Sequence, residues 1–285
     1  MKIVVTGGGG QLGKEIQNVN CPVIEKEALT SNDLDITDYE KIDCYFKNNK
    51  CNVIVNCAAY TYVDNAEENV TKAFDINELG VKNLVKVCEK YGIKLIHYST
   101  DYVFGGDASK NERSENDHRE PLSIYGKSKK AGEDVIMNSS VQSIIIRTSW
   151  LYSKYGNNFV KTMLDISNKK KEIKVVGDQF GNPTHAKDLA LATIEIIKDK
   201  KYNWVKGSDV FHYSNEGKCS WFEFAKAIFE IQKKPIKVIK IDTSEFKTHA
   251  KRPENSCLNK EKFKKKFNIF IPNWKDSLKK MLLDI

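Results

Sequence analysis

Four short apolar runs constrain the fold of this chain more than any other feature. They cover residues 3–5, 53–56, 94–99 and 144–147 and are rich in β-branched side chains. Runs of this length and composition are typical of strands that are buried on both faces of a parallel sheet. Parallel strands need crossover connections, and long amphipathic stretches separate the runs. The pattern therefore predicts an α/β fold with an open, doubly wound parallel sheet.

Two of the amphipathic stretches are predicted to be helices that cover this sheet. Between residues 69 and 91 apolar side chains recur at helical intervals, and Gly92 follows as a stop signal. A second helix is expected over residues 125–137.

The regular alternation loosens after Trp150, where glycine-containing turns separate shorter elements. We expect a helix over residues 221–231, a strand over 237–241 and a final helix over 274–285. The chain is therefore predicted to have two closely packed parts. Residues 1–150 carry the sheet, and residues 151–285 form a smaller carboxy-terminal lobe with some segments returning to the first part.

The 285-residue chain has a formal charge of +8, from 46 Lys and Arg against 38 Asp and Glu. This excess could attract an anionic nucleotide, but a Lys-rich solvated surface is the favoured interpretation of the lysine clusters. No basic stripe is interleaved with aromatic residues, so nucleic-acid binding is not expected. No apolar stretch approaches the roughly 18 residues that suggest a membrane span, and the first residues do not resemble a secretory signal. We expect a cytoplasmic protein that does not bind a membrane.

The cysteines and histidines do not form metal-binding patterns. Seven cysteines, an odd number without a C-x-x-C pair, indicate neither a disulfide framework nor a zinc site. We expect reduced, mostly buried thiols. The five histidines are scattered without metal-ligand spacing, so no catalytic metal is predicted.

A glycine-rich run directly follows the first apolar run. Gly7, Gly10 and Gly13 fit the pattern G-x-x-G-x-x-G. Glycines let the backbone approach a pyrophosphate, whose charge then meets free amides at a helix amino terminus. A tight turn without a ligand would also use glycines, but the position between a strand and a helix starting near Gln11 favours dinucleotide binding. Residues 1–150 are therefore predicted to be a Rossmann-type dinucleotide-binding domain.

Tyr125 and Lys129 lie one helical turn apart and share a face of their predicted helix. An ammonium near a phenol favours the ionised phenol and lowers its pKa from the ordinary value of about 10. A phenol with a lowered pKa can protonate a forming alkoxide. The pair therefore predicts the reduction of a carbonyl.

Small and polar residues follow two of the predicted strands, at the edge of the sheet where ligands usually bind. After residues 53–56 the small side chains would let a cofactor lie over the strand end. After residues 94–99 a hydroxyl of Ser99 or Thr100 could donate to a substrate carbonyl, although a helix-capping role is the alternative. The residues concerned are Ala58, Ala59, Tyr60 and Thr61 after the first strand, and Thr100 and Asp101 after the second.

The region of the second strand leaves the cofactor open. Asp35 and Ile36 follow it, where an adenine usually lies, but Asp35 could equally cap a helix. Glu25 and Lys26 are expected near the end of this strand. A Lys there would suit a 2′-phosphate and a Glu would oppose it, so both NADPH and NADH stay candidates.

Taken together, these motifs resemble the dTDP-4-dehydrorhamnose reductases, which belong to the extended short-chain dehydrogenase/reductase superfamily. The resemblance covers nearly the whole chain. The glycine and Tyr-x-x-x-Lys motifs specify only the superfamily. The narrower motifs are His-Tyr-Ser-Thr-Asp-Tyr-Val-Phe at residues 97–104, Arg-Thr-Ser-Trp at 147–150 and Asp-Gln-Phe-Gly at 178–181.

The resemblance implies reduction of the C4 ketone of dTDP-4-dehydro-L-rhamnose to dTDP-L-rhamnose, with hydride from NADPH or NADH. It implies that Tyr125 donates the proton, that Lys129 lowers the pKa of Tyr125 and holds the nicotinamide ribose, and that Thr100 polarises the carbonyl. Asp101 and Trp150 match positions that contact the sugar nucleotide, although Trp150 could instead be a buried core residue. The carboxy-terminal lobe is then mainly the sugar-nucleotide-binding part.

The same resemblance implies a set of cofactor contacts. Gly10, Gln11 and Leu12 would touch the pyrophosphate within the glycine run from Gly7 to Gly13, and Asp35 and Ile36 would contact the adenosine. The middle of the cofactor would lie against Ala58, Ala59, Tyr60 and Thr61, with Tyr125 and Lys129 at the nicotinamide end.

Some members of this family form dimers bridged by Mg²⁺ through acidic residues. Glu15 matches one of these positions, Lys187 occupies the second, and the third falls near Asp284. A Lys would repel the cation, which argues against a bridging metal here. A monomer and a homodimer both stay open.

Two alternatives to this function stay open. The chain could reduce another nucleotide-linked keto sugar, because specificity depends on the carboxy-terminal lobe. It could also be a non-catalytic, NADP-binding regulatory subunit, although Thr100, Tyr125 and Lys129 argue against that reading.

Overall fold

The computed structural model describes residues 1–105 and 111–285. Its strands, in chain order, are β1 (Lys2–Thr6), β2 (Glu25–Leu29), β3 (Val53–Asn56), β4 (Lys94–Thr100), β5 (Ser143–Thr148), β6 (Leu151–Tyr152), β7 (Glu172–Val176), β8 (Phe180–Gly181), β9 (Thr184–His185), β10 (Ser208–His212), β11 (Cys219–Ser220) and β12 (Lys237–Ile241).

The α-helices are α1 (Gln11–Asn18), α2 (Tyr39–Asn48), α3 (Val63–Ala66), α4 (Val70–Phe74), α5 (Gly80–Tyr91), α6 (Ile124–Met137), α7 (Phe159–Ser167), α8 (Ala186–Lys198), α9 (Trp221–Ile231), α10 (Glu261–Phe267) and α11 (Trp274–Leu283). A π-helical segment covers Asp75–Leu79, and 3-10 turns cover Asp101–Val103 and Thr243–Glu245.

Six strands form the central sheet in the order β10-β5-β4-β3-β1-β2, and every neighbouring pair is parallel. The predicted doubly wound parallel sheet is confirmed. All four apolar runs are strands of this sheet, and every residue of β3 and β5 is buried. Of the two outer strands, β2 was expected only as a second strand without bounds, and β10 was not predicted, because the residues of both are more polar and partly exposed.

Helices cover both faces of the sheet. On β1, Ile3 and Val5 belong to a core that includes the apolar sides of α1 and α8. Val4 points the other way, into a core formed with α2, α5 and α6. This alternation follows from the two-residue period of a strand, which sends successive side chains to opposite faces.

The second half of the chain contributes to both parts of the molecule. Strand β10 forms an edge of the central sheet, and α8 packs against α1. A separate core joins α7, α9 and α11, and the parallel pair β7 and β12 packs against it. The helix and strand predicted at residues 221–231 and 237–241 are present with those bounds, and the final helix ends at Leu283.

The predicted helix over residues 69–91 has a π-helical segment in its middle. Helix α4, the π segment and α5 follow one another without a break, and Gly92 ends α5 in the left-handed conformation with φ 65°. Such π segments inside α-helices often occur at functional sites. Here the segment carries Asn77, which is described below with the site.

The cysteines are free, but the prediction that most are buried is wrong. Cys88, Cys219 and Cys257 are buried, whereas Cys44 is exposed and the other three are partly exposed. None of the helices in residues 1–105 and 111–285 is long and apolar enough to cross a membrane.

Candidate active site

A cleft of about 1300 Å³ lies at the carboxyl ends of β1, β3, β4 and β5 and extends toward the second half of the chain. This is where ligands bind in open α/β sheets. The structure brings most of the predicted site residues together on its walls. These are Gly10, Gln11, Leu12, Gly13, Ala58, Ala59, Thr61, Thr100, Asp101, Tyr125, Lys129 and Trp150.

Four predicted cofactor residues do not belong to the cleft lining. Gly7 lies beneath it in the glycine turn, and Tyr60 is buried beside Tyr125. Ile36 is buried in the core next to α5, and Asp35 is exposed and accepts hydrogen bonds from the amide and hydroxyl of Thr37. The helix cap is made by Asp38 instead. The adenosine contacts of Asp35 and Ile36 stay a prediction.

The glycine turn is packed so tightly that side chains are excluded. Gly7 has φ 68°, and a Cβ there would lie 2.5 Å from the amide nitrogen of Ala58. A Cβ on Gly13 would lie 2.5 Å from the carbonyl oxygen of Gly7. Helix α1 begins directly after Gly10, and among the described residues no side chain caps it. Its first amides are therefore available to an anion, as a pyrophosphate site requires.

The expected position of Glu25 and Lys26 is wrong. Both lie at the amino end of β2, whose carboxyl end is Leu29, followed by Thr30. The charged pair is therefore at the edge of the sheet opposite the cleft. Glu25 lies 3.3 Å from the ammonium of Lys2, so these residues do not decide between NADPH and NADH.

Tyr125 lies in the first turn of α6, with its side chain 9% exposed. The hydroxyl of Ser123 caps this helix by accepting from the amide of Gly126. Burial raises the pKa of Tyr125 to about 12, although a hydrogen bond with Thr100 opposes the shift. The direction is opposite to the sequence-based expectation because loss of water around the phenol outweighs its neighbours.

Lys129 lies one turn further along α6 and is also buried. Its ammonium donates to the carbonyl oxygen of Tyr98 at 2.7 Å and lies 3.3 Å from Nε2 of His97. Burial lowers the pKa of Lys129 to about 8, although the carboxylate of Glu133 opposes the shift. The lysine is thus directed toward the cleft by β4 on one side and α6 on the other.

A buried ion pair holds α6 against the sheet. Arg147 in β5 makes two hydrogen bonds to Glu133, at 2.9 and 2.8 Å, and Arg119 donates to the same carboxylate at 2.9 Å. Breaking such a pair would leave an unpaired buried charge, which is strongly destabilising. The pair therefore fixes the helix that carries Tyr125 and Lys129.

Asn77, in the π segment, joins three parts of the site. Its amide accepts from the backbone N–H of Tyr60 at 2.9 Å and donates to the carbonyl of Tyr60 at 3.0 Å. It also donates to the hydroxyl of Ser128, which donates in turn to the carbonyl of Tyr125. A Cβ on Gly132 would lie 2.1 Å from the carbonyl oxygen of Asn77, so α6 can approach this segment only with a glycine there.

Thr100 and Asp101 end β4 beside the tyrosine. The Thr100 hydroxyl donates to Oδ1 of Asp101 at 2.9 Å and accepts from the amide of Tyr102 at 3.1 Å. Burial raises the pKa of Asp101 to about 7, with hydrogen bonds from Ser256 and Thr100 opposing the shift. A hydroxyl and a carboxyl group with an elevated pKa therefore face the same end of the cleft as the phenol.

Trp150 is half-buried and lies in the left-handed region with φ 46°. Its ring stacks on that of Trp221, with centroids 3.5 Å apart and planes 6° apart. Gly181 makes room for this ring, because a Cβ there would lie 2.5 Å from it. Trp150 therefore belongs to an aromatic wall of the cleft that includes Trp221.

The acidic positions considered for a bridging metal are otherwise engaged. Glu15 accepts a hydrogen bond of 2.5 Å from the hydroxyl of Ser153, and the ammonium of Lys187 lies 3.6 Å from the carboxylate of Asp284. Across residues 1–105 and 111–285 no group of three or more His, Cys, Asp and Glu is arranged to hold a metal ion.

Several site residues were missed by the sequence reasoning. Asn56 and His97 contact each other below Lys129, and Trp221 extends the aromatic wall. Arg252 lines the cleft and forms a bidentate ion pair with Asp64. His97 belongs to the motif at residues 97–104, but nothing in the local sequence indicates which distant residue His97 or Arg252 contacts.

The chain is similar to known proteins over nearly its whole length. The family model described as RmlD substrate binding domain matches residues 1–285. The chain is 39% identical to a dTDP-4-dehydrorhamnose reductase from Aggregatibacter actinomycetemcomitans, over 98% of this chain and 97% of that protein.

Two solved structures are similar over the full length. A dTDP-4-dehydrorhamnose reductase from Clostridium acetobutylicum has a TM-score of 0.93 and 40% identity, covering 100% of both chains. One from Bacillus anthracis, in complex with NADP, also has a TM-score of 0.93, with 36% identity over 100% of this chain and 99% of that chain. The chain therefore belongs to the dTDP-4-dehydrorhamnose reductase family.

Proposed function

We propose that this protein reduces the C4 ketone of dTDP-4-dehydro-L-rhamnose to dTDP-L-rhamnose with a nicotinamide cofactor. The observation that carries the proposal is that Thr100, Tyr125 and Lys129 line the same cleft as the glycine turn. Family membership supports the substrate, and the NADP bound to the Bacillus anthracis relative supports the cofactor.

The residues present fit a dinucleotide. The amides at the start of α1 carry no side-chain cap among the described residues and suit a pyrophosphate. Gly10, Gln11 and Leu12 would hold this part, and Ala58, Ala59 and Thr61 would hold the middle of the molecule, since their small size leaves room above β3. When bound, the reduced nicotinamide supplies a hydride; the chain supplies position and charge.

Tyr125 is the proton donor in this proposal. With its pKa raised to about 12 by burial, the phenol is fully protonated at neutral pH and available to the ketone oxygen as that oxygen gains negative charge. Lys129, one turn away, places positive charge near the phenol and would lower the pKa of Tyr125 once a cofactor ribose is held between them. The lowering is a prediction for the occupied site.

Thr100 would donate a hydrogen bond to the substrate carbonyl and so stabilise the developing charge. Its hydroxyl donates to Asp101 in the structure, so polarising the substrate requires the hydroxyl to turn from Asp101 to the ketone. Asp101 and Trp150 would contact the sugar nucleotide, with the Trp150 face against the pyranose. The second part of the chain, including Trp221 and Arg252, would hold the remainder of the nucleotide.

The test is oxidation of NADPH and of NADH, followed at the nicotinamide absorbance, with dTDP-4-dehydro-L-rhamnose and the purified protein. The proposal expects cofactor oxidation that depends on the sugar, with dTDP-L-rhamnose as the product. Comparing the rates with NADPH and with NADH gives the cofactor preference. Turnover only with UDP- or GDP-linked keto sugars would establish the alternative substrate. Cofactor binding without turnover of any keto sugar would favour the regulatory subunit and refute the reductase.

A further inference from the structure

A buried chain of hydrogen bonds ends at Lys129, and the proposed reaction does not use it. The Thr6 hydroxyl donates to Oδ1 of Asn56 at 2.7 Å, and Nδ2 of Asn56 lies 3.0 Å from Nδ1 of His97. On the other side of the imidazole ring, Nε2 lies 3.3 Å from Nζ of Lys129. All four side chains are buried, with exposed fractions of 2% or less.

The orientation of the Asn56 amide follows from a backbone donor. The N–H of Ala58 donates to Oδ1 of Asn56 at 3.1 Å, and a backbone N–H cannot reverse its role. The amide oxygen therefore faces Ala58 and Thr6, and the amide nitrogen faces His97.

The amide nitrogen sets the tautomer of the histidine. Nδ2 of Asn56 can only donate, so Nδ1 of His97 must accept. Burial and the nearby Lys129 hold the pKa of His97 well below its usual range, so the ring is neutral and carries its single proton on Nε2. That N–H points at Lys129. An ammonium has no lone pair to accept it, whereas a neutral amine does.

We propose that Asn56 and His97 are positioning residues that present an N–H group to Lys129 and thereby ease the release of its proton near neutral pH. The carbonyl of Tyr98 accepts from Lys129 in both protonation states and keeps the side chain in place. The catalytic consequence rests on the function proposed above: the charge that Lys129 presents to Tyr125 would depend on His97, which contacts Lys129.

Other groups face Lys129 from the elements packed around it. Glu133 lies one turn further on α6, but its charge is compensated by Arg147 and Arg119. Burial raises the pKa of the Cys57 thiol, so that side chain is neutral.

The first experiment determines the tautomer directly. Two-bond ¹H–¹⁵N spectra of the histidine-labelled protein distinguish Nε2–H from Nδ1–H rings. His212 is a matched internal control, because its Nδ1 donates to the carbonyl of Arg113 and its Nε2 faces Arg147, which predicts the opposite tautomer. We expect a proton on Nε2 of His97 and on Nδ1 of His212. A His97 ring protonated on Nδ1, or doubly protonated at pH 7, would overturn the proposal.

Two variants test the effect on Lys129. In His97→Gln the amide oxygen can accept from the ammonium, so the titration midpoint of Lys129 should rise by about one pH unit, the scale of one exchanged hydrogen bond. In Asn56→Asp the new carboxylate should accept from Nδ1–H of His97, reverse the tautomer and raise the same midpoint. The midpoint is read from the ¹³Cε resonance of labelled lysine, assigned with Lys129→Met.

An unchanged midpoint in a folded His97→Gln protein would refute the proposal. If that variant does not fold, the wild-type tautomer still decides it. For the active enzyme, the basic limb of the pH profile of kcat/KM should move upward in the same variants. The tautomer and the midpoint need no substrate, so failure of the reductase activity and failure of this inference give different results.

Discussion

Replacing Tyr125 by Phe tests the proposed proton donor with little other change to the molecule. The substitution removes one oxygen and keeps the ring, which packs edge-on against Tyr102 with centroids 5.7 Å apart and against the buried side chains of Tyr60, Ala66 and Ala73. Thr100 loses one partner but keeps its hydrogen bonds with Asp101 and the Tyr102 amide. The stability cost is therefore about 1 kcal/mol, the usual net value of one hydrogen bond.

The expected effect on catalysis is much larger. A positioned general acid contributes roughly 10²- to 10⁴-fold to the rate. At 1.36 kcal/mol per factor of ten, loss of the phenol should raise the activation free energy by about 3 to 5 kcal/mol. Because the pKa of Tyr125 is raised to about 12, the wild-type phenol is protonated at neutral pH and the whole population can act as the donor.

The assay compares kcat for sugar-dependent NADPH oxidation with the dissociation constant for NADPH, measured by calorimetry. We expect kcat to fall by two to four orders of magnitude while cofactor affinity stays within about threefold. Tyr91→Phe is the control, because it removes a phenol whose hydrogen bonds go to Asp43, away from the cleft. A kcat within threefold of wild type in Tyr125→Phe would remove this residue as the acid.

Three further predictions concern the neighbouring residues. Lys129→Ala should lower cofactor affinity and kcat together by about 10- to 100-fold, the scale of a hydrogen bond to a charged group. If calorimetry shows unchanged cofactor affinity and kinetics show unchanged kcat, Lys129 has no part in cofactor binding or catalysis. Thr100→Ala should lower kcat by about 10²- to 10³-fold and Thr100→Ser should restore most of it, so equal rates in the two variants would exclude the hydroxyl. Asp101 has a pKa of about 7 in the folded state, above its unfolded value near 4, so the folded state loses stability as pH rises between these values. Asp101→Asn removes this loss and should raise the free energy of unfolding, and with it Tm, more at pH 8 than at pH 4, by on the order of a few kcal/mol. An equal change at both pH values would contradict the raised pKa.

The positions of the main strands could be predicted from local sequence, because burial on both faces requires a continuous run of apolar residues. Every residue of β3 and β5 is buried, and the apolar runs match these strands to within one residue at each end. The glycine turn was equally readable. Gly7 and Gly13 occupy positions where a side chain would collide with backbone, so only this residue type serves.

The bounds of the edge strands could not be predicted from local sequence in the same way. Strand β2 begins at Glu25, so the two charged residues that were expected at its carboxyl end lie at its amino end. A partly exposed edge strand tolerates polar side chains, and its bounds then depend on pairing with β1, not on its own composition.

By itself the sequence determined the fold class, the family and the placement of Tyr125 and Lys129 on one helical face, since each depends on residues close together in the chain. Only the tertiary structure decided the direction in which the pKa of each of these two groups shifts. Burial raises the pKa of Tyr125 and lowers that of Lys129, and His97, 32 residues from Lys129, supplies the contact below the lysine. The desolvation of each side chain and the residues that it contacts depend on segments that meet only after folding, so no local sequence pattern predicts them.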